Sequence, residues 1–121
     1  MRWPLVLMGV LTLGACSKSG SSEQSPTAQA QTLYAERCST CHGKTGGGDG
    51  PGAGALAPKP RAFTDAAWQS SVSDAHLEQI IVGGGAAVGK SVLMPPNPDL
   101  EGEPEVLKAI IKIIRGFGPR G

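Results

Sequence analysis

The sequence predicts an all-α domain, and three stretches carry that prediction. Between Ala28 and Cys41, residues Leu33, Tyr34 and Cys38 fall at helical spacing. Ser73 stands as an N-cap ahead of Asp74-Ala75-His76-Leu77-Glu78-Gln79-Ile80-Ile81-Val82. Near the C-terminus, Val106, Leu107, Ile110, Ile111, Ile114 and Phe117 form one apolar stripe. The connections between them are rich in Gly and Pro, which punctuate rather than continue helices. A length of 121 residues allows one domain. Aromatic residues make up only 4%, so the core is small and gains from a staple or a bound group. The net charge of +1 excludes the basic excess of a nucleic-acid binder. With 3 cysteines, an odd count, a closed disulfide framework is excluded.

The chain opens with one basic residue, Arg2, and an apolar run from Trp3 to Leu13. That run is too short to span a bilayer and has the length of a signal h-region, so residues 1–15 read as an export signal. It ends in Leu13-Gly14-Ala15-Cys16, which resembles a bacterial lipobox. The resemblance implies that Cys16 is lipidated and becomes the first residue. It accounts for the odd cysteine and implies a stable membrane anchor, since several acyl chains hold where one does not. Ser17 follows where an Asp would imply retention in the inner membrane, so the outer membrane is preferred. Residues 16–30 are polar and without periodicity, and read as a lipidated flexible tether with a reach of roughly 20 Å. The domain proper is assigned to residues 31–121. Loss of the signal removes Arg2 and leaves ten basic and ten acidic side chains.

The chemistry lies in Cys38-Ser39-Thr40-Cys41-His42. Cysteines three apart on a helical turn present both sulfurs to one side, and the adjacent imidazole reaches the same place. Cys-x-x-Cys-His is the pattern of covalent haem attachment: each thiol adds to a vinyl group and the His takes one axial position on iron. A thioredoxin-like dithiol needs a βαβ setting, which this helical and Gly-rich context does not offer. Structural zinc needs four ligands, and the mature chain has no such set at zinc spacing. Export agrees with haem, because c-type haem is attached outside the cytoplasm. The cofactor expected is therefore haem c, one per chain.

On these residues, roughly 28–118 resemble the class I mono-haem cytochrome c family. The resemblance implies N- and C-terminal helices that cross, with the haem as the core. The sixth ligand is narrowed by counting. Removal of the signal leaves one methionine, Met94, 52 residues after His42, and Pro95-Pro96 behind it forbid helix there. That segment looks like the family's Met-Pro ligand loop; His76 is the rival ligand. Residues 43–54 resemble the family's Gly-rich turn after the His. The family uses a proline carbonyl to accept the axial His Nδ1–H, which makes Pro58 or Pro60 the candidate here. Arg61 and Trp68 are candidates for donors to the haem propionates, as similar residues are in the family.

One motif is a decoy. Residues 84–91 match G-x-x-x-x-G-K-[ST], but Pro95, Pro96 and Pro98 prevent the helix a P-loop requires, so nucleotide is excluded as a ligand. The last helix starts at Pro104, with Gly102 or Glu103 as its cap. Lys108, Lys112 and Arg115 fall off the stripe and read as a solvated face. The family often has an aromatic in mid-helix where this chain has Ile113, which implies an altered pairing of the first and last helices.

The function expected is a membrane-anchored periplasmic electron carrier serving redox protein partners, not an enzyme. Two alternatives stand beside it. One is a haem subunit of a periplasmic oxidoreductase. The other is a sensor or enzyme whose iron binds a small molecule.

Overall fold

The computed structural model describes residues 23–120. Helix α1 (Pro26–Leu33) starts where Ser25 Oγ accepts from the Ala28 N–H at 3.2 Å and Pro26 takes the first helical position. The helix therefore begins ahead of Ala28, and the tether assigned to residues 16–30 is too long at its C-terminal end. Pro26 to Ala30 are helical, and Ala30 is fully buried. The signal segment and Cys16 lie outside the described residues.

The chain runs on from α1 through a π-helical turn (Tyr34–Cys38) into α2 (Ser39–His42). Gly43 stops it at φ +85°, a backbone setting that a side chain resists. The Gly-rich loop then folds back on the end of α2. Gly48 N–H donates to His42 O at 2.8 Å, Gly50 N–H to Cys41 O at 3.1 Å, and Gly52 N–H to Thr40 O at 2.8 Å. The last carbonyls of a helix have no partner within it. This loop supplies three of them while holding the Cys-x-x-Cys-His segment still.

After a 3-10 turn (Ala53–Ala55) come the short α3 (Ala66–Ser71), capped by Asp65, and α4 (Asp74–Gly83), capped by Ser73 as the sequence predicts. Two further 3-10 turns, Gly85–Val88 and Pro98–Leu100, bracket the Met94 segment, and no helix starts at Lys90-Ser91. Helix α5 (Pro104–Gly116) starts with Pro104 at its first position behind Glu103. Among the described residues there is no β-strand, and no helix is long and apolar enough to cross a membrane.

α5 packs on α1 through the predicted stripe: Val106, Leu107, Ile110, Ile111 and Ile114 are buried, in one cluster with Ala30, Tyr34, Phe63, Leu77 and Ile81. Phe117, which caps α5, makes an aromatic contact with the π-helical turn that continues α1, its ring 5.3 Å from Tyr34. Ile113 only lines this core from its edge. Arg115 departs from the solvated face assigned to it. Its guanidinium donates to Gln69 O at 2.8 Å, Val72 O at 2.6 Å and Asp74 Oδ1 at 2.7 Å. The last turn of α5 faces the end of α3, whose final carbonyls need donors, and the side chain joins α5 to the α3–α4 corner.

Candidate functional site

Cys38, Cys41, His42, Pro58, Pro60, Arg61, Trp68 and Met94 all line one cleft of about 1530 Å³. That exceeds the 300–1,000 Å³ usual for small-molecule sites, as a large flat cofactor requires. Residues 38–42 form one wall, α4 contributes Leu77, Ile80 and Ile81, and the Met94 segment another. His76 lines the same cleft. The walls also carry Arg37, Lys59, Arg61 and Lys90, and no Asp or Glu. An anionic periphery on a largely apolar ligand suits such a lining.

The imidazole of His42 is held from both sides. Phe63 stacks on it with ring centroids 4.4 Å apart and planes 15° from parallel. Its Nδ1 lies 3.0 Å from Arg61 O. A carbonyl only accepts, so Nδ1 carries the proton and Nε2 keeps its lone pair for a metal. The acceptor is Arg61, not Pro58 or Pro60. The loop turns so that the residue after Pro60 aims its carbonyl at the ring, and any residue type can supply a carbonyl. Burial pulls the His42 pKa down, partly opposed by that hydrogen bond. The ring is therefore kept neutral and ligating.

Cys38 and Cys41 are free and half-buried. Burial pushes the Cys38 thiol up to about 11, the Arg37 charge opposing and Cys41 adding to the rise. Redox-active dithiols have depressed values, so this site is poorly suited to disulfide exchange. A thioether, which carries no charge in any state, suits it well. Among the described residues no three His, Cys, Asp or Glu side chains gather as a zinc site would need.

Met94 sits in a segment with little freedom. Its carbonyl accepts from Gly85 N–H at 3.1 Å. Gly84 has φ +76°, and a Cβ there would lie 2.9 Å from both Met94 O and Pro96 N, so only glycine lets the segment pass this close. Arg61 lies over the Trp68 ring, 5.8 Å from its centroid. Trp68 also stacks on Phe63 at 5.4 Å. Phe63 was not among the residues singled out from the sequence, although it is one of two phenylalanines and lies two positions past Arg61.

Two thiols flanking a neutral, oriented imidazole, on a wall of an apolar cleft with cationic edges, fit covalently attached haem c, one per chain. With its crossing terminal helices and no strand among the described residues, the protein is a mono-haem class I c-type cytochrome. More particularly, the chain belongs to the family described as cytochrome c oxidase, cbb3-type, subunit III, which matches residues 25–114. It is also similar to the solved structure of the KustC0563 c-type cytochrome, with 32% identity, a TM-score of 0.55, and coverage of 74% of this chain and 98% of that one. No curated protein sequence matches the chain. The protein is a haem-containing electron carrier, and its partners are redox proteins.

Proposed function

We propose that the protein carries single electrons on the periplasmic side of a bacterial membrane, anchored through lipid on Cys16, with His42 and Met94 as the two axial ligands. The observation that carries this reading is the convergence of His42 and the constrained Met94 on one cleft. When bound, haem c supplies a one-electron iron couple whose potential a thioether ligand raises relative to a second imidazole. The chain's own part is positioning and exclusion. Arg61 O fixes the His42 tautomer, and Cys38 and Cys41 hold the group by two bonds. Phe63, Ile80 and Ile81 line the cleft with apolar surface that would exclude water around the group. Pro95 and Pro96 stiffen the segment that presents Met94. With both axial positions held, no site is left for a substrate, which separates a carrier from a sensor or enzyme.

The test is spectroscopic. The ferric protein should be low-spin with the weak near-infrared sulfur-to-iron band and should bind cyanide slowly. Met94→Ala should abolish the band, lower the potential and admit small molecules, and His76→Ala should do none of this. The reverse pattern would establish bis-His ligation, and a high-spin parent that binds ligands rapidly would sink the carrier reading. For the anchor, Cys16→Ser should move the haem-bearing head from the membrane to the soluble periplasmic fraction. A mutant that stays with membranes as firmly as the parent would exclude lipid. The description of the matching family favours a second reading, a fixed subunit of a larger oxidoreductase. Co-purification of the detergent-extracted protein with an oxidase complex would decide for it.

A further inference from the structure

The segment that presents Met94 is fastened at its exit by Asn97 and Arg37, to which the electron-carrier reading gives no part beyond the Arg37 charge on the cleft wall. Asn97 directs its backbone N–H at Ile81 O and Val82 O, at 3.1 and 3.0 Å, and its Nδ2 at Ile81 O at 3.0 Å. The chain leaving Pro95-Pro96 is thereby fixed to the end of α4. The Asn97 Oδ1 accepts from Arg37 Nη1 at 3.3 Å, and the same nitrogen donates to both carboxylate oxygens of Asp99, at 3.0 and 2.9 Å. Arg37 immediately precedes Cys38. One guanidinium thus joins the segment bearing a haem attachment to the segment bearing Met94, across 60 residues of sequence.

We propose that Arg37 and Asn97 are positioning residues that clasp the Met94 segment over the cleft and set how readily the thioether yields to an external ligand. The proposal rests on Met94 being the ligand. Its two halves differ in kind. The Arg37 and Asp99 side chains are 42% and 56% exposed, so salt screens their attraction. Asn97 satisfies carbonyls at the end of α4 through neutral hydrogen bonds, which salt leaves alone. An exposed charged pair shifts an opening equilibrium by roughly 2- to 5-fold. The Arg37 half is therefore a weak, ionic-strength-dependent latch, and the Asn97 half its firm seat.

The experiment is titration of the ferric holoprotein with imidazole, followed by loss of the near-infrared sulfur-to-iron band, at low and high salt. The parent should bind imidazole more tightly as salt rises. Arg37→Gln should bind roughly 2- to 5-fold more tightly than the parent at low salt and show no salt response, and Arg37→Lys should restore part of that response. Asn97→Ala should bind about tenfold more tightly or better at either salt, since it removes both side-chain hydrogen bonds of Asn97, to Ile81 O and from Arg37, and leaves only its backbone N–H on α4. Should that variant fail to fold, Arg37→Gln, which replaces a side chain that is 42% exposed and keeps the backbone bonds of Asn97, decides alone. Equal affinity and equal salt response in the parent and Arg37→Gln would overturn the clasp while the parent's band upholds Met94. A parent without the band would overturn the Met94 reading and the clasp together.

Discussion

At Tyr34 a buried phenol donates to Gly43 O at 2.8 Å, tying the π-helical turn to the residue that ends α2. Burial pushes its pKa to about 12, with Cys38 adding to the rise. The Cys38 part vanishes once that sulfur is a thioether, and the burial part remains. An unfolded Tyr loses its proton near pH 10, whereas burial makes the folded one keep it to a distinctly higher pH. Between those values the native state holds a proton the unfolded state has lost, so stability falls as pH rises. Below pH 10 the contribution is fully present. Tyr34→Phe should cost about 1–1.5 kcal/mol at neutral pH, because the Gly43 carbonyl loses its donor. It should also flatten the part of the alkaline loss that Tyr34 causes. Denaturant midpoints of parent and variant between pH 8 and about 12 check both effects, and parallel curves would exclude Tyr34 as the titrating group.

At the scale of elements, what a sequence shows depends on whether a local signal names the residue. Ser73 ahead of α4 and Pro104 at the start of α5 are caps with a residue-type signature, and both helices begin where that signature predicts. Ser25-Pro26 is an equally good start for α1, but it stands in a polar Ser- and Gln-rich stretch, and composition argued for tether over cap. The Cys-x-x-Cys-His motif is read directly because its spacing is the chemistry. The acceptor for His42 is not legible, because a backbone carbonyl belongs to every residue; the prolines suggested by family resemblance lie one and three positions before Arg61. Arg37 and Asp99, or Arg115 and Val72, are joined by folding across 62 and 43 residues, and nothing local marks either partner. What long-range packing decides is therefore the part the sequence hides. Here it includes the fastening of the Met94 segment and the anchoring of α5.

Over the whole molecule, the buried cluster built on α1 and α5 accounts for one side of the structure, and the cleft for the other. Leu77, Ile81 and Ile114 belong to both, so the wall of the cleft is also the wall of the core. Native interiors leave few voids larger than a water molecule. Without an occupant, the apolar side chains that line the 1530 Å³ cleft, Leu77, Ile80, Ile81 and Ile114 among them, would face water rather than a packed surface. The attached group must then be a structural part of the core, not a passenger. Replacing Cys38 and Cys41 together with Ala removes both attachment points and trims Cys38 at the edge of the core, while leaving the buried residues of α1 and α5 unchanged. The variant should retain part of its far-ultraviolet helix signal, lose its near-ultraviolet signal, bind a hydrophobic dye and unfold without a sharp transition. Haem-staining after denaturation should be positive for the parent and blank for the variant. A haem-free variant that unfolds cooperatively near the parent's midpoint would show that the α1–α5 core suffices and that haem only occupies a preformed site.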